Sequence, residues 1–128
     1  MPTERAGVEV NVFCFGNGDE AYTAPGGQAT PVYFYSMDAQ LKALIDRTVS
    51  RWSDFGRFRG TEFWHIITAA DTNRDMMPAT LEGLRGFMRD CMEGITERGM
   101  LYETGAYEKG EVRALPVFKE AYEAGRSC

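Results

Sequence analysis

The clearest periodic pattern in the chain runs over residues 78–99, where apolar side chains recur every three or four positions. The stripe consists of Leu81, Leu84, Met88, Cys91 and Ile95. This spacing is typical of an amphipathic helix that packs one face against a sheet. Pro78 suits a first helical turn and Gly99 suits the position just after a last one, so the pattern predicts a helix over residues 78–99.

The opposite side of this predicted helix is rich in glycine. At roughly 100° per residue, Gly83, Gly86 and Gly94 fall in one sector. Each glycine costs roughly 0.5–1 kcal/mol relative to alanine inside a helix. The close approach of a partner protein would explain these glycines. The alternatives are that the helix is covered on both sides or that the glycines arose by neutral drift.

Other segments of the chain predict strands and a second helix. Residues 8–15 place every second side chain, Val8, Val10, Val12 and Cys14, on one face, as a strand does. An Asn-Gly pair in residues 16–19 then favours a tight hairpin. Residues 20–24 suit the return strand. Residues 31–35 are dense in aromatics and predict another strand. Ser36 suits a helix N-cap, and apolar spacing then predicts a helix to about Asp54.

The second half of the chain is more ambiguous. Residues 61–70 favour a buried strand through their β-branched and aromatic content, although their spacing also fits a helix. The tail predicts a strand near residues 100–107, a returning strand over residues 112–115 and a short helix from Pro116.

Together these elements predict an α+β fold in a single domain, residues 1–128. We expect an antiparallel sheet of about four to five strands with two main helices packed on one face and a short C-terminal helix.

Composition narrows the functional classes. A net charge of −5 and a pI of about 4.9 make the chain a poor match for nucleic acid or an anionic membrane. The three cysteines, Cys14, Cys91 and Cys128, are odd in number and lack metal-ligand spacing, which favours reduced thiols and a cytoplasmic location. The N-terminus lacks the apolar run of a signal peptide, and no segment approaches the length of a membrane span.

Basic and aromatic residues are interleaved in the middle of the chain. The candidate partner-binding residues there are Arg47, Arg51, Trp52, Arg57, Phe58 and Arg59. Arginine with aromatics is the composition of binding hot spots. The structural alternative is that the cations sit at a helix C-terminus and the aromatics fill the core.

A polar loop follows residues 61–70. Asp71, Asn73, Asp75 and Glu82 stand at loop positions 1, 3, 5 and 12, and this spacing resembles the calcium loop of the EF-hand family. We expect no cofactor; the resemblance, which covers about 30 residues, implies calcium binding as the one alternative to that expectation. Loop position 6, which is glycine in that family, is Met76 here. The alternative is a polar loop built from Asx turns.

Three functions follow from these observations. The first is a small acidic cytoplasmic protein that acts by contact with another protein, as an adaptor or inhibitor of the kind that phages and mobile elements encode, or as a homodimer. The second is a small-molecule-binding protein or small enzyme with a pocket near His65, Asp71 and Asp75. The third is calcium binding at the loop. We assign no catalytic residue, because His65 is the only histidine and lacks a visible catalytic companion.

Overall fold

The computed structural model describes residues 26–127, along which parallel strands alternate with helices. The strands are β1 (Gly26–Pro31), β2 (Glu62–Ala69) and β3 (Thr96–Thr104), and the helices are α1 (Ala39–Arg47), α2 (Met77–Arg85) and α3 (Pro116–Arg126). The predicted strand over residues 8–15, its turn over residues 16–19 and its return strand over residues 20–24 lie outside the described residues.

The sheet is parallel throughout, and its strands lie in chain order, β1-β2-β3. The prediction of an antiparallel α+β sheet of four to five strands is therefore wrong, because the described residues form a three-stranded parallel α/β sheet. The physical reason lies in the connections. Each one carries a helix that returns the chain to the edge where the previous strand began, whereas antiparallel neighbours are joined by short turns.

The central strand β2 alternates cleanly between two environments. Phe63, His65 and Ile67 are buried on the face that packs against α1 and α2, whereas Ile66 and Thr68 on the other face are exposed. This period of two confirms the strand interpretation of residues 61–70.

The helix predicted over residues 78–99 is much shorter than its apolar pattern. The α-helical part ends at Arg85, and a π-helical stretch follows over Gly86–Cys91. Gly94 then takes a left-handed φ of 79°, which redirects the chain into β3. The predicted single helix is wrong beyond the π-helical stretch.

The apolar pattern persists past the helix because the core continues there. Met92 is buried, and Ile95 packs against the apolar cluster that contains Met92, although neither residue is helical. Gly99 lies inside β3, where an added Cβ would be 2.4 Å from the ring of Trp64. That glycine therefore makes room for an indole ring and does not end a helix.

α1 is capped by Asp38, whose Oδ1 accepts the N–H of Leu41 at 2.7 Å. The helix predicted from Ser36 to about Asp54 therefore begins later, at Ala39, and is α-helical only as far as Arg47. Its second part is the 3₁₀ helix Thr48–Phe58, which has a kink at Arg51.

The tail is only partly as predicted. β3 covers the first part of residues 100–107, and α3 begins at Pro116 as expected. The returning strand predicted over residues 112–115 is wrong, since a 3₁₀ turn, Glu111–Ala114, occupies that place. Among residues 26–127, no helix is both long enough and apolar enough to cross a bilayer.

Within the described part of the chain, residues 26–127, the core consists of two apolar clusters between the sheet and its helices. The carboxyl-edge cluster, near the ends of the strands, contains Leu41, Ile67, Ala69, Met77 and Leu84. The amino-edge cluster, near the strand starts, contains Phe55, Phe63, Phe87, Met88 and Met92. The candidate binding residues lie at these two edges of the sheet.

Candidate functional site

The 3₁₀ helix Thr48–Phe58 presents an exposed surface at the amino edge, which we call the Arg–Trp surface. It consists of Arg47, Val49, Arg51, Trp52 and Arg57, all exposed. Val49 is 70% exposed and Trp52 is 57% exposed. The centre of the Trp52 ring lies 5.2 Å from that of buried Phe55. One side of the indole therefore packs on the protein, and the rest of it is exposed to solvent.

The arginines of this surface are only partly neutralised. Arg51 pairs with Asp54 at 2.6 Å. No residue between 26 and 127 forms an ion pair with Arg47 or Arg57. An exposed indole and an exposed aliphatic side chain therefore belong to one short segment that also carries three exposed arginines, in a chain that is acidic as a whole.

Two other predicted contact residues have roles inside the fold. Phe58 is half buried against the amino-edge cluster. Arg59 donates to Glu93 at 3.1 Å, and its Cγ lies 2.5 Å from the place where a Cβ on Gly94 would be. These residues hold the turn into β2 against the turn into β3.

The predicted glycines do not share one helix face. Gly83 lies on α2, where an added Cβ would be 3.1 Å from the Met37 Cε. Gly86 caps the end of α2 with open space around it, and Gly94 is in the turn before β3. Their common sector requires one unbroken helix, and the helical stretch ends before Gly94, so a contact role for these glycines stays a prediction.

A buried polar group lies beneath this edge. Arg85 donates two hydrogen bonds to Glu97, at 2.8 and 2.7 Å, and these bonds lower the pKa of that carboxyl group. The Nε2 atom of His65 lies 3.6 Å from the near Glu97 oxygen, which is beyond hydrogen-bond distance. His65 is 0% exposed, and burial lowers its pKa to about 4 even though the Glu97 charge acts in the opposite direction. His65 is therefore neutral near pH 7.

Gln28 extends this buried group into β1. It is the register partner of His65 and is fully buried on the same face. Neither the amide of Gln28 nor either ring nitrogen of His65 has a hydrogen-bond partner, and the buried hydroxyl of Thr80 has none either. Such groups together offer donors and acceptors without a charge.

The polar loop after β2 stands apart from His65. Asp71 Oδ1 accepts the N–H of Asn73 at 2.8 Å, and Asn73 Oδ1 accepts the N–H of Asp75 at 3.0 Å, which are the Asx turns of the alternative interpretation. At roughly 3.3 Å per residue, β2 separates this loop from His65 by more than about 13 Å. The structure therefore does not gather His65, Asp71 and Asp75 into one pocket.

The calcium interpretation rests on spacing alone. Glu82 lies 3.4 Å from an Arg85 nitrogen and 3.7 Å from an Arg89 nitrogen. Within residues 26–127, no three His, Cys, Asp or Glu side chains come together as a metal site. Calcium binding at Asp71, Asn73, Asp75 and Glu82 stays a prediction.

A second exposed feature, which the sequence analysis did not predict, is the aromatic turn (residues 33–36). Tyr33 and Ser36 exchange backbone hydrogen bonds of 2.9 and 3.0 Å across Phe34 and Tyr35, which have left-handed φ values of 48° and 67°. The strand predicted over residues 31–35 is therefore wrong after Pro31. Two-residue turns of this kind normally carry Asn-Gly, and a Phe-Tyr pair gives no turn signal.

The aromatic turn displays its side chains in water. Phe34 is 98% exposed, and Tyr33 and Tyr35 are about half exposed. A left-handed conformation costs roughly 1–2 kcal/mol for each non-glycine residue. The strain has no packing reason at Phe34, whose side chain is almost wholly in solvent.

The aromatic turn and the polar loop lie side by side at the carboxyl edge, because β1 and β2 are parallel neighbours that end there. Asp71 and Asp75 are exposed in that loop. The Arg74 guanidinium lies 5.0 Å from the centre of the Tyr102 ring. Aromatic side chains and carboxylates thus share the carboxyl edge.

Comparison of the chain with models of protein families and with curated proteins found no match.

Proposed function

We propose that this protein acts by binding another protein, as an adaptor or inhibitor, through the Arg–Trp surface. The observation that carries the proposal is the combination of exposed Trp52 and Val49 with Arg47 and Arg57, which have no ion-pair partner between residues 26 and 127. Tryptophan and arginine are the residues most enriched at binding hot spots. A protein surface with carboxylates around an apolar centre complements such a patch.

The proposal extends to location and partner class. A cytoplasmic setting accords with Cys91, which is an exposed free thiol. A protein partner is favoured over nucleic acid because the net charge of −5 opposes association with a polyanion.

Site-specific crosslinking tests the proposal. A photo-reactive phenylalanine analogue replaces Trp52 in producing cells, and the matched control carries the analogue at Tyr122 of α3, which is 63% exposed. The adduct that forms only at position 52 is identified by mass, and the partner is purified. We expect Trp52→Ala to weaken its binding at least about tenfold, and Tyr122→Ala to leave it unchanged.

Two results would contradict this function. One is identical adducts from positions 52 and 122, which indicate non-specific collisions. The other is a partner whose affinity is unaffected by both Trp52→Ala and Arg57→Ala. The second variant guards against a folding artefact, because Arg57 has no ion pair within residues 26–127 and is exposed.

A second candidate function is the binding of a small uncharged molecule at Gln28 and His65. The specific observation is that their four polar side-chain atoms are buried and have no partner. Unpaired buried groups are costly, and an uncharged ligand or ordered water would satisfy them. Binding of such a molecule that persists in Gln28→Leu would contradict this candidate.

A further inference from the structure

The aromatic turn places three side chains in solvent, and that of Phe34 almost completely. Phe34 makes almost no contact with the rest of the protein, and both central residues hold a conformation that asparagine and glycine adopt at less cost. Backbone strain of this kind persists where function requires it. Three consecutive exposed aromatic side chains therefore indicate a contact element.

The aromatic turn lies at the opposite end of the sheet from the Arg–Trp surface. The turn follows β1 at the carboxyl edge, whereas the 3₁₀ helix Thr48–Phe58 ends just before β2 begins at the amino edge. At roughly 3.3 Å per residue, the eight-residue strand β2 separates the two edges by about 25 Å. Both surfaces are therefore open at the same time on one molecule.

The two surfaces are complementary in chemistry. The carboxyl edge combines the aromatic turn with the carboxylates of Asp71 and Asp75. The amino edge combines Trp52 and Val49 with three exposed arginines. The only cation in the polar loop, Arg74, is directed over the Tyr102 ring. In a contact between the two surfaces, the aromatic rings would pack on the exposed indole and the carboxylates would pair with the arginines.

We infer that the aromatic turn of one molecule docks on the Arg–Trp surface of a second copy, so that the chain assembles head to tail. This inference rests on the proposed function, since it names a second copy as the partner of the same surface. The contact is heterologous, and each added molecule leaves one surface of each kind free. The assembly therefore extends past the dimer, either as an open chain or as a closed ring.

Sedimentation velocity on the full chain between about 10 µM and 1 mM tests the assembly, because contacts of this small size are weak. We expect the weight-average mass to rise beyond that of two chains at low salt, and to fall as salt is added. Phe34→Ala and Arg57→Glu are each expected to remain monomeric. Tyr122→Ala, which changes neither surface, is expected to assemble as the unmodified chain does.

Mixing the two inactive variants gives the sharpest result. Phe34→Ala keeps a working Arg–Trp surface, and Arg57→Glu keeps a working aromatic turn. Their mixture is expected to form a complex of two chains, one of each kind, and to stop there. A symmetric dimer in which the same surfaces meet would give no such complementation.

Replacing Phe34 and Tyr35 together by Asn and Gly separates assembly from folding. The double variant suits the left-handed turn, so we expect Tm to rise by about 5–10 °C while the protein becomes monomeric. An unchanged or lower Tm would overturn the claim that strain is retained for contact.

The possible outcomes separate the inference from the proposed function. A chain that stays monomeric at 1 mM, while position 52 crosslinks a different protein, overturns the assembly and leaves the proposed function standing. Assembly that Phe34→Ala does not reduce also overturns it. Absence of both self-assembly and any specific adduct at position 52 overturns both.

Discussion

Lowering the pH from 8 to 5 should destabilise the protein through one side chain, His65. Burial lowers the pKa of His65 to about 4, from an ordinary value of 6.5. Between these values the unfolded chain binds a proton at this residue and the folded chain does not. The stability that this group contributes is therefore complete above pH 6.5 and is lost progressively as the pH falls towards 4.

The size of this loss follows from the two pKa values. A difference between 6.5 and about 4 corresponds to about 3.4 kcal/mol in the free energy of unfolding once the pH is below both values. At pH 5 the loss relative to pH 8 is about 2 kcal/mol. Small domains have a free energy of unfolding of about 5–15 kcal/mol, so a loss of about 2 kcal/mol is a measurable fraction of the total.

Urea unfolding at several pH values measures the effect, with His65→Phe as the matched variant. The replacement keeps an aromatic ring at the position that now lies 4.9 Å from the Phe63 ring, but it does not bind a proton. Burial raises the pKa of Glu103, which acts in the opposite direction in both proteins, so the measured quantity is their difference. We expect the natural chain to lose about 2 kcal/mol more than the variant between pH 8 and pH 5. Equal losses in the two proteins would refute the reasoning.

Three further predictions concern packing, and urea unfolding checks each one. Gly94→Ala should destabilise the protein by at least about 1–2 kcal/mol, since φ is 79° and the new Cβ would meet Arg59 at 2.5 Å; unchanged stability would show that the turn has another conformation. Gly86→Ala, at an open helical position, should stabilise it by about 0.5–1 kcal/mol, and a loss would contradict the helical assignment there. Thr80→Val should stabilise it by about 1 kcal/mol because it removes a buried, unpaired hydroxyl; a lower midpoint would reveal a partner for that group.

Local patterns identified several elements correctly. The alternation in residues 61–70 identified β2, and Pro116 marked the start of α3. These signals depend on the residues of the element itself, so no knowledge of distant neighbours was needed.

The parallel sheet was missed because strand pairing depends on the whole chain. The start of β3 was missed because Met92 and Ile95 continue the apolar period of the helix, and both are core residues although neither is helical. In the structure, the chain leaves the helix after Cys91 and turns into β3 at Gly94, whose φ is left-handed. A helix predicted up to Gly99 leaves only the second half of β3 as a strand, and the tail pattern pairs that half with residues 112–115 as an antiparallel hairpin.

The residues of the Arg–Trp surface are close in sequence, so the chain alone could propose them as a group, and their binding role stays a prediction. The aromatic turn escaped detection because exposure depends on where the chain bends, and Phe34 and Tyr35 have no preference for the bend that they make. His65 and Gln28 meet only through strand register, which a single segment cannot reveal.

The chain order of the strands also bears on synthesis at the ribosome. Gly26 pairs with Phe63, and Glu62 pairs with Thr96, so each strand pairing spans only about 35 residues. The first two strands and α1 can therefore associate while the rest of the chain is still being translated. β3 then adds to an edge that already exists, and no part of the sheet must wait for the last residues to emerge.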